Sequence, residues 1–138
     1  MATIPEPARA LLQSDALAHL VTVSPDGSPQ VSCVWVGLEG DELVAASLDV
    51  RQKLRNVRRD RRVALSVESN HANHLGLVEY LVVHGRGRVE EGGAPELLQR
   101  LAGTYIGPGV RFPPMADPPP GYILRIGPER FGGVGPWA

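Results

Sequence analysis

The chain has 138 residues, 43% of them apolar, and a net charge near −1. That length holds one domain with a sizeable core; the composition argues against a disordered chain, and the balanced charge argues against a dedicated nucleic-acid binder, which carries a clear basic excess. Cys33, the only cysteine, excludes an internal disulfide and suits a reducing cytosol. The N-terminus shows no basic start followed by an apolar run. No apolar stretch approaches the roughly 18 residues that would span a bilayer. A cytoplasmic protein with no membrane or nucleic-acid partner is expected.

Pro5 stands where a helix can begin, and Ala8, Leu11 and Leu12 then give helical spacing over about 6–14. A strand is expected over 16–24, a turn at 25–28 ("PDGS") and a second strand over 29–39, the pair forming a hairpin. Gly40 and Asp41 turn the chain into a third strand over 42–48. In the second strand Val31, Cys33 and Trp35 point one way, and Val34, Val36 and Leu38 the other. A strand apolar on both faces is expected to be buried on both. In so small a protein one face fills a barrel, and the other meets a helix, a cofactor or a second subunit; a homodimer is the economical reading.

A basic helix follows. Seven of the fourteen Lys and Arg residues fall within 51–62, among them Lys53, the only lysine. Asp49 and Gln52 have capping-box spacing, and Val50, Leu54 and Val57 define one inward face. A fourth strand is expected over 61–69, a polar loop over 70–76, and a long fifth strand over 77–91 with Gly85 and Gly87 as bend or bulge positions. A helix over 94–105, a stiff loop over 106–121 with six of the thirteen prolines, a last strand over 122–131 and a tail anchored by Trp137 complete the chain. Six strands joined by tight turns, with three helices, describe an antiparallel barrel.

The basic helix has three readings. It can be a solvated face, with Asp49 and Asp60 in weak surface pairs. It can be an anion site, because Ser47, Arg51 and Lys53 lie where a strand hands over to a helix, whose first amides favour phosphate. It can track a nucleic-acid backbone, but no neighbouring aromatic is available to stack bases.

The hairpin "VTVSPDGSPQVSCVWV", the segment "AASLDVRQKLRNVRRDRRVALSVE" and the strand "VVHGRGRVEE" resemble the pyridoxamine 5'-phosphate oxidase-like split-barrel family. "KLRNVRRDRR", "LLQRLAGTYIG" and the ending "RIGPERFGGVGPW" resemble its actinobacterial branch of deazaflavin (coenzyme F-420)-dependent reductases. The resemblance spans nearly the whole chain. It implies a single split-barrel domain over 1–138, homodimeric, with two cofactor sites at the interface. It implies that Arg51 and Lys53 hold the cofactor's phosphate, that Gln30, Val31 and Ser32 run beside the cofactor, that Ala46, Ser47 and Leu48 lie next to its ring, and that Tyr80 reaches toward the partner's cofactor. It departs at Arg61, where relatives often have proline.

The implied activity is hydride transfer from reduced F-420 to a small electron-poor organic substrate, with no catalytic acid named. FMN is the alternative cofactor, on an oxidase or reductase of the same fold; a non-catalytic cofactor or pigment binder is the alternative class. The carboxylate-rich tail of F-420 gives Arg55, Arg58 and Arg59 a possible role that FMN does not. Among smaller signals, His71 and His74 lack further metal ligands, Cys33 reads as a small buried hydrophobe, and Trp35 and Trp137 read as core and tail anchors.

Overall fold

A computed structural model describes residues 1–137. The elements in chain order are α1 (Glu6–Leu12), β1 (Ala18–Val23), β2 (Pro29–Val34), β3 (Gly37–Glu39), β4 (Glu42–Ser47), α2 (Gln52–Arg59), β5 (Arg62–Ala72), β6 (Val78–Glu91), α3 (Ala94–Tyr105) and β7 (Tyr122–Val134). The strands form one antiparallel sheet in the order β2-β1-β5-β6-β7-β4-β3. The edge strands β2 and β3 are consecutive in the chain, joined only through Trp35 and Val36. The sheet must therefore roll until its two edges meet, giving a barrel split along the β2 edge.

Seven strands replace the expected six because the second one breaks. At the break the Val36 N–H donates to the Tyr105 hydroxyl of α3 (3.0 Å), and that hydroxyl lies 3.1 Å from the Val36 carbonyl and 3.3 Å from the Ala16 carbonyl. A side chain thus takes the place of the strand ladder. Gly37 follows immediately, and a Cβ there would sit 2.9 Å from a Leu101 methyl, which would have to shift to admit it.

The barrel interior is filled by alternate residues such as Leu20, Leu43, Leu65, Leu81, Val83 and Leu124. Ala8 and Leu12 of α1 and Leu54 and Val57 of α2 join this core. Helix α2 packs on β6 at Gly87, where a Cβ would lie 2.9 Å from Val57; Gly87 is a close-approach site rather than a bulge. The bulge falls between His84 and Gly85. Helix α3 covers the outer face of β4, where Val44, Leu97, Leu101 and Ile123 form a second cluster.

Other boundaries moved for local reasons. Helix α1 stops at Leu12 because the Ser14 hydroxyl donates to the Leu11 carbonyl (2.6 Å) and receives the Ala16 N–H (3.2 Å). The expected 70–76 loop contracts to a tight turn: the Asn73 side-chain oxygen accepts from the N–H groups of Leu75 and Leu77, so β5 continues to Ala72. Strand β7 runs on to Val134, still paired with β6 at Tyr80. Trp137 is buried as expected and donates to the Tyr80 carbonyl (2.9 Å). The expected capping box does not form: α2 begins after Arg51 with no side-chain cap, and Gln52 donates to Asn56 instead (2.7 Å). The Ser47 hydroxyl shapes this corner by donating to the Asp49 carbonyl (2.6 Å).

Burial on both faces of the second strand is half met. Val34, Val36 and Leu38 are buried, but Val31 is 59% exposed and Cys33 is exposed, not buried. The register places Val31 beside Val21, and Val21 beside Ala64. Val31 therefore stands exposed on the outer face that β2 shares with β1 and β5.

Candidate functional site

Where β2 ends, a cavity of about 260 Å³ opens at the split of the barrel. Cys33, Val34 and Trp35 form one wall and Ala46 of β4 another. Leu98 and Leu101 of α3 line it, Phe112 of the 106–121 loop flanks it, and Lys53 projects into it from the first turn of α2. Lys53 is the only charged lining residue. Burial, and then the charge of Arg51, push its ammonium below the ordinary lysine range. Among the described residues no carboxylate lies within salt-bridge distance of it. A half-buried cation without a counterion, among apolar walls, is a position that an anion would stabilise.

The sign of that shift gives a pH prediction. Because the folded-state value is depressed, the Lys53 ammonium disfavours the fold below that value, and the penalty disappears as pH rises through it toward lysine's ordinary value. An anion in the cavity reverses the preference and favours the charged form. Affinity for a phosphate ester should therefore fall with rising pH earlier than an ordinary lysine would dictate. Lys53→Arg should flatten that fall in a binding titration, since arginine stays charged.

Of the other cations in the run, most have local partners. Arg59 bonds the Val23 carbonyl and Asn56, Arg61 bonds the Gly87 carbonyl (3.0 Å), and Arg62 pairs with Asp60 (2.6 Å). Arg55 reaches the Gln52 side chain (3.1 Å), and Arg58 lies over the Tyr122 ring at 5.4 Å. Arg51, exposed at the helix start, has only a 3.8 Å contact with exposed Asp49, a pairing worth little. The corner thus leaves Arg51 and Lys53 available.

The sequence-derived candidates separate into groups. Ala46 and Lys53 line the cavity; Arg51, two residues before Lys53 at the start of α2, does not. Ser47 is buried and its hydroxyl is committed to the corner; Leu48 follows, half-buried. Val31 lies on the exposed outer face. Gln30 and Ser32 pair with Thr22 and Leu20 and share their inner face. The Ser32 hydroxyl is buried without a hydrogen-bond partner, the kind of orphan that a ligand or water satisfies. Tyr80 is 39% exposed at the start of β6 and does not line its own chain's cavity; Leu77 and Val78 beside it are also exposed.

A buried polar chain ties these parts together. Gln52 donates to Asn56 (2.7 Å), Asn56 donates to Thr22 (3.0 Å), and Thr22 donates to Gln30 (3.1 Å), so α2, β1 and β2 are held in one alignment. Asn56 is fully buried. Asn56→Leu keeps the branched shape and removes the bonds to Gln52, Thr22 and Arg59, at a cost of about 1–3 kcal/mol. A fall in Tm of roughly 3–10 °C is expected by calorimetry; an unchanged Tm would mean the chain aligns nothing.

Sequence reasoning missed the aromatic wall. Trp35, expected as a core anchor, stacks on Tyr105 (ring centroids 5.4 Å apart, planes 4° apart) and meets Phe112 (5.2 Å, 53°). Three of the chain's seven aromatic side chains therefore gather at the cavity. Cys33, Leu98 and Leu101 were also missed as lining residues. Tyr105 ends α3 and Phe112 lies in the loop after it, but nothing in the sequence places Trp35 beside them.

Comparison with known proteins shows the family and the fold. A structure described as an F-420 reductase is 31% identical, with 94% of this chain and 98% of that one covered and a TM-score of 0.75. A conserved hypothetical protein of Mycobacterium tuberculosis is 23% identical (96% and 85% covered, TM-score 0.73), and HupZ of Group A Streptococcus is 17% identical (99% and 98% covered, TM-score 0.68); these two show the fold alone. A search of curated proteins gave no match. The family described as pyridoxamine 5'-phosphate oxidase matches residues 4–134. With that match across a split barrel whose cleft carries an unpaired cation, the chain belongs to the pyridoxamine 5'-phosphate oxidase family.

Proposed function

We propose that this chain is an F-420-dependent oxidoreductase that passes a hydride from the reduced cofactor to a small electron-poor organic acceptor. The observation that carries the reading is Lys53, an unpaired cation in an apolar cavity beside the exposed Arg51 at a strand-to-helix corner. Such a donor set suits a phosphate ester, since the first amides of a helix have no intrahelical acceptor. The 31% identity to an F-420 reductase supports the same choice. When bound, the deazaflavin would supply the hydride, and the chemistry is its own.

The residues have binding roles. Arg51 and Lys53 hold the phosphate. The backbone edge of β2 at Gln30, Val31 and Ser32, paired on one side only, runs beside the cofactor, with Ala46, Ser47 and Leu48 of β4 toward the ring. Arg55 and Arg58 attract the carboxylates of the cofactor tail; Arg59, already bonded to Val23 and Asn56, contributes less. The apolar cavity walls exclude water and orient the acceptor. The proton that completes reduction comes from solvent.

A homodimer would cover the outer face with Val21, Val31 and Ala64, and would bring the exposed Leu77, Val78 and Tyr80 of one chain toward the other's site. Binding of F-420 and FMN measured side by side, with sedimentation and turnover on a panel of quinones and activated alkenes, tests the whole reading. Micromolar or tighter F-420 binding with turnover supports it. Preference for FMN assigns the protein to flavin chemistry, tight binding without turnover makes it a carrier, and binding of neither removes the proposal.

A further inference from the structure

The 106–121 loop contains no helix or strand, yet it supplies Phe112 to the cavity. Its ends are fastened by backbone bonds: Gly107 donates to the Ala102 carbonyl (3.0 Å), and Gly92 and Ala94 donate to the carbonyls of Gly121 (2.7 Å) and Pro120 (3.0 Å). Between Pro108 and Pro119, among the described residues, the hydrogen bonds to the rest of the chain come from one side chain. Gln99 Nε2 donates to the Val110 carbonyl (2.7 Å), and the Phe112 N–H donates to Gln99 Oε1 (2.9 Å). Only one orientation of the amide satisfies both bonds, so donor and acceptor are assigned by their partners. The prolines on either side restrict the loop's own freedom, so holding Val110 and Phe112 holds the backbone from which the Phe112 ring meets Trp35.

That ring is a partition. It lies against Trp35 in the 260 Å³ cavity and also lines a second cavity of about 450 Å³, on the side of Arg111, Pro113 and Met115. Gln99 lines this second cavity, while its neighbour Leu98 lines the first. Helix α3 thus supplies both a wall and the clamp that holds the partition.

We infer that Phe112 is a specificity residue that limits the width of acceptor admitted beside Trp35, and that Gln99 is the positioning residue that holds it there. The inference rests on reading the first cavity as the ligand site. With the clamp intact, the site takes a single-ring acceptor in preference to a fused-ring one. With the clamp released, Phe112 leaves Trp35, the two cavities join and the preference shifts to the larger ring.

The test uses the 138-residue chain carrying Gln99→Leu, which keeps an aliphatic side chain and removes both bonds, and Gln99→Glu, which keeps the acceptor for Phe112 and loses the donor to Val110. Because Gln99 is exposed, both variants should fold. Acrylamide quenching of Trp35, read in a Trp137→Phe background, should rise about twofold or more in Gln99→Leu and less in Gln99→Glu. The ratio of kcat/KM for menadione over 1,4-benzoquinone should rise about tenfold in Gln99→Leu, the scale of two exposed hydrogen bonds, through KM rather than kcat. Unchanged quenching in both variants overturns the clamp, and changed quenching with an unchanged acceptor ratio overturns the specificity role. If the parent protein reduces neither quinone with F-420, the functional reading falls, and the quenching still decides whether Gln99 holds Phe112.

Discussion

Replacing Arg51 and Lys53 together by alanine should reduce affinity for F-420 by a factor of about 10²–10⁴ and leave Tm nearly unchanged. Hydrogen bonds to charged groups contribute about 1.5–3 kcal/mol each, and two such losses convert to that range. The fold should tolerate the change because neither cation supports it. Arg51 makes one long contact between exposed groups, and Lys53 has its charge pushed toward neutrality by burial. The right control is Arg62→Ala, in the same basic run. Arg62 is paired with Asp60, whose carboxyl it holds at about 2, so its charge is already spoken for. Equal losses from the control and the double variant would mean that diffuse positive charge, not the corner, attracts the cofactor. A deazaflavin fragment without phosphate sharpens the test, since its binding should ignore the double variant. Equilibrium titration by cofactor fluorescence measures all of these.

Much of this corner was legible in the sequence, and the rest was not for identifiable reasons. Periodicity and turn residues define α3, β4 and the inward face of α2, because those elements answer to local patterns. The break of the second strand answers to the Tyr105 hydroxyl, 69 positions away, and no local pattern announces it. At Asp49 the spacing fitted a capping box, but the Ser47 hydroxyl bonded the Asp49 carbonyl and the helix started later. The basic run drew attention to seven cations; only the fold separates Arg59, spent on Val23, from Lys53, aimed into a cavity. The strand-to-helix corner already marked Arg51 and Lys53, and the resemblance added Ala46. It did not supply the aromatic wall, because Trp35, Tyr105 and Phe112 meet only once α3 and the proline-rich loop are placed.

Gly121→Ala should destabilise the protein by roughly 2–5 kcal/mol, for a reason that bears directly on the site. Gly121 has φ +61°, a left-handed conformation that costs an alanine about 1–2 kcal/mol. Space is the larger obstacle. A Cβ would lie 2.5 Å from the Ser47 carbonyl oxygen, 2.6 Å from the Ala94 Cβ and 3.0 Å from the Leu48 Cα. None of these is the end of a flexible side chain, so the backbone itself must move, and overpacking of this kind costs about 1–3 kcal/mol. The atoms that must yield belong to the corner between β4 and α2, and residues 47–49 set the path to Arg51 and Lys53. Cofactor affinity should therefore fall even at temperatures where the variant stays folded. Gly40→Ala separates the two contributions, because Gly40 shares the φ of +61° and a Cβ there meets nothing within 4 Å. It should lose only the conformational part and bind F-420 like the parent. Melting curves for the two variants, followed by cofactor titrations well below Tm, measure the difference. If the two variants melt together and bind alike, the corner gives way freely, and its geometry is not what positions the two cations.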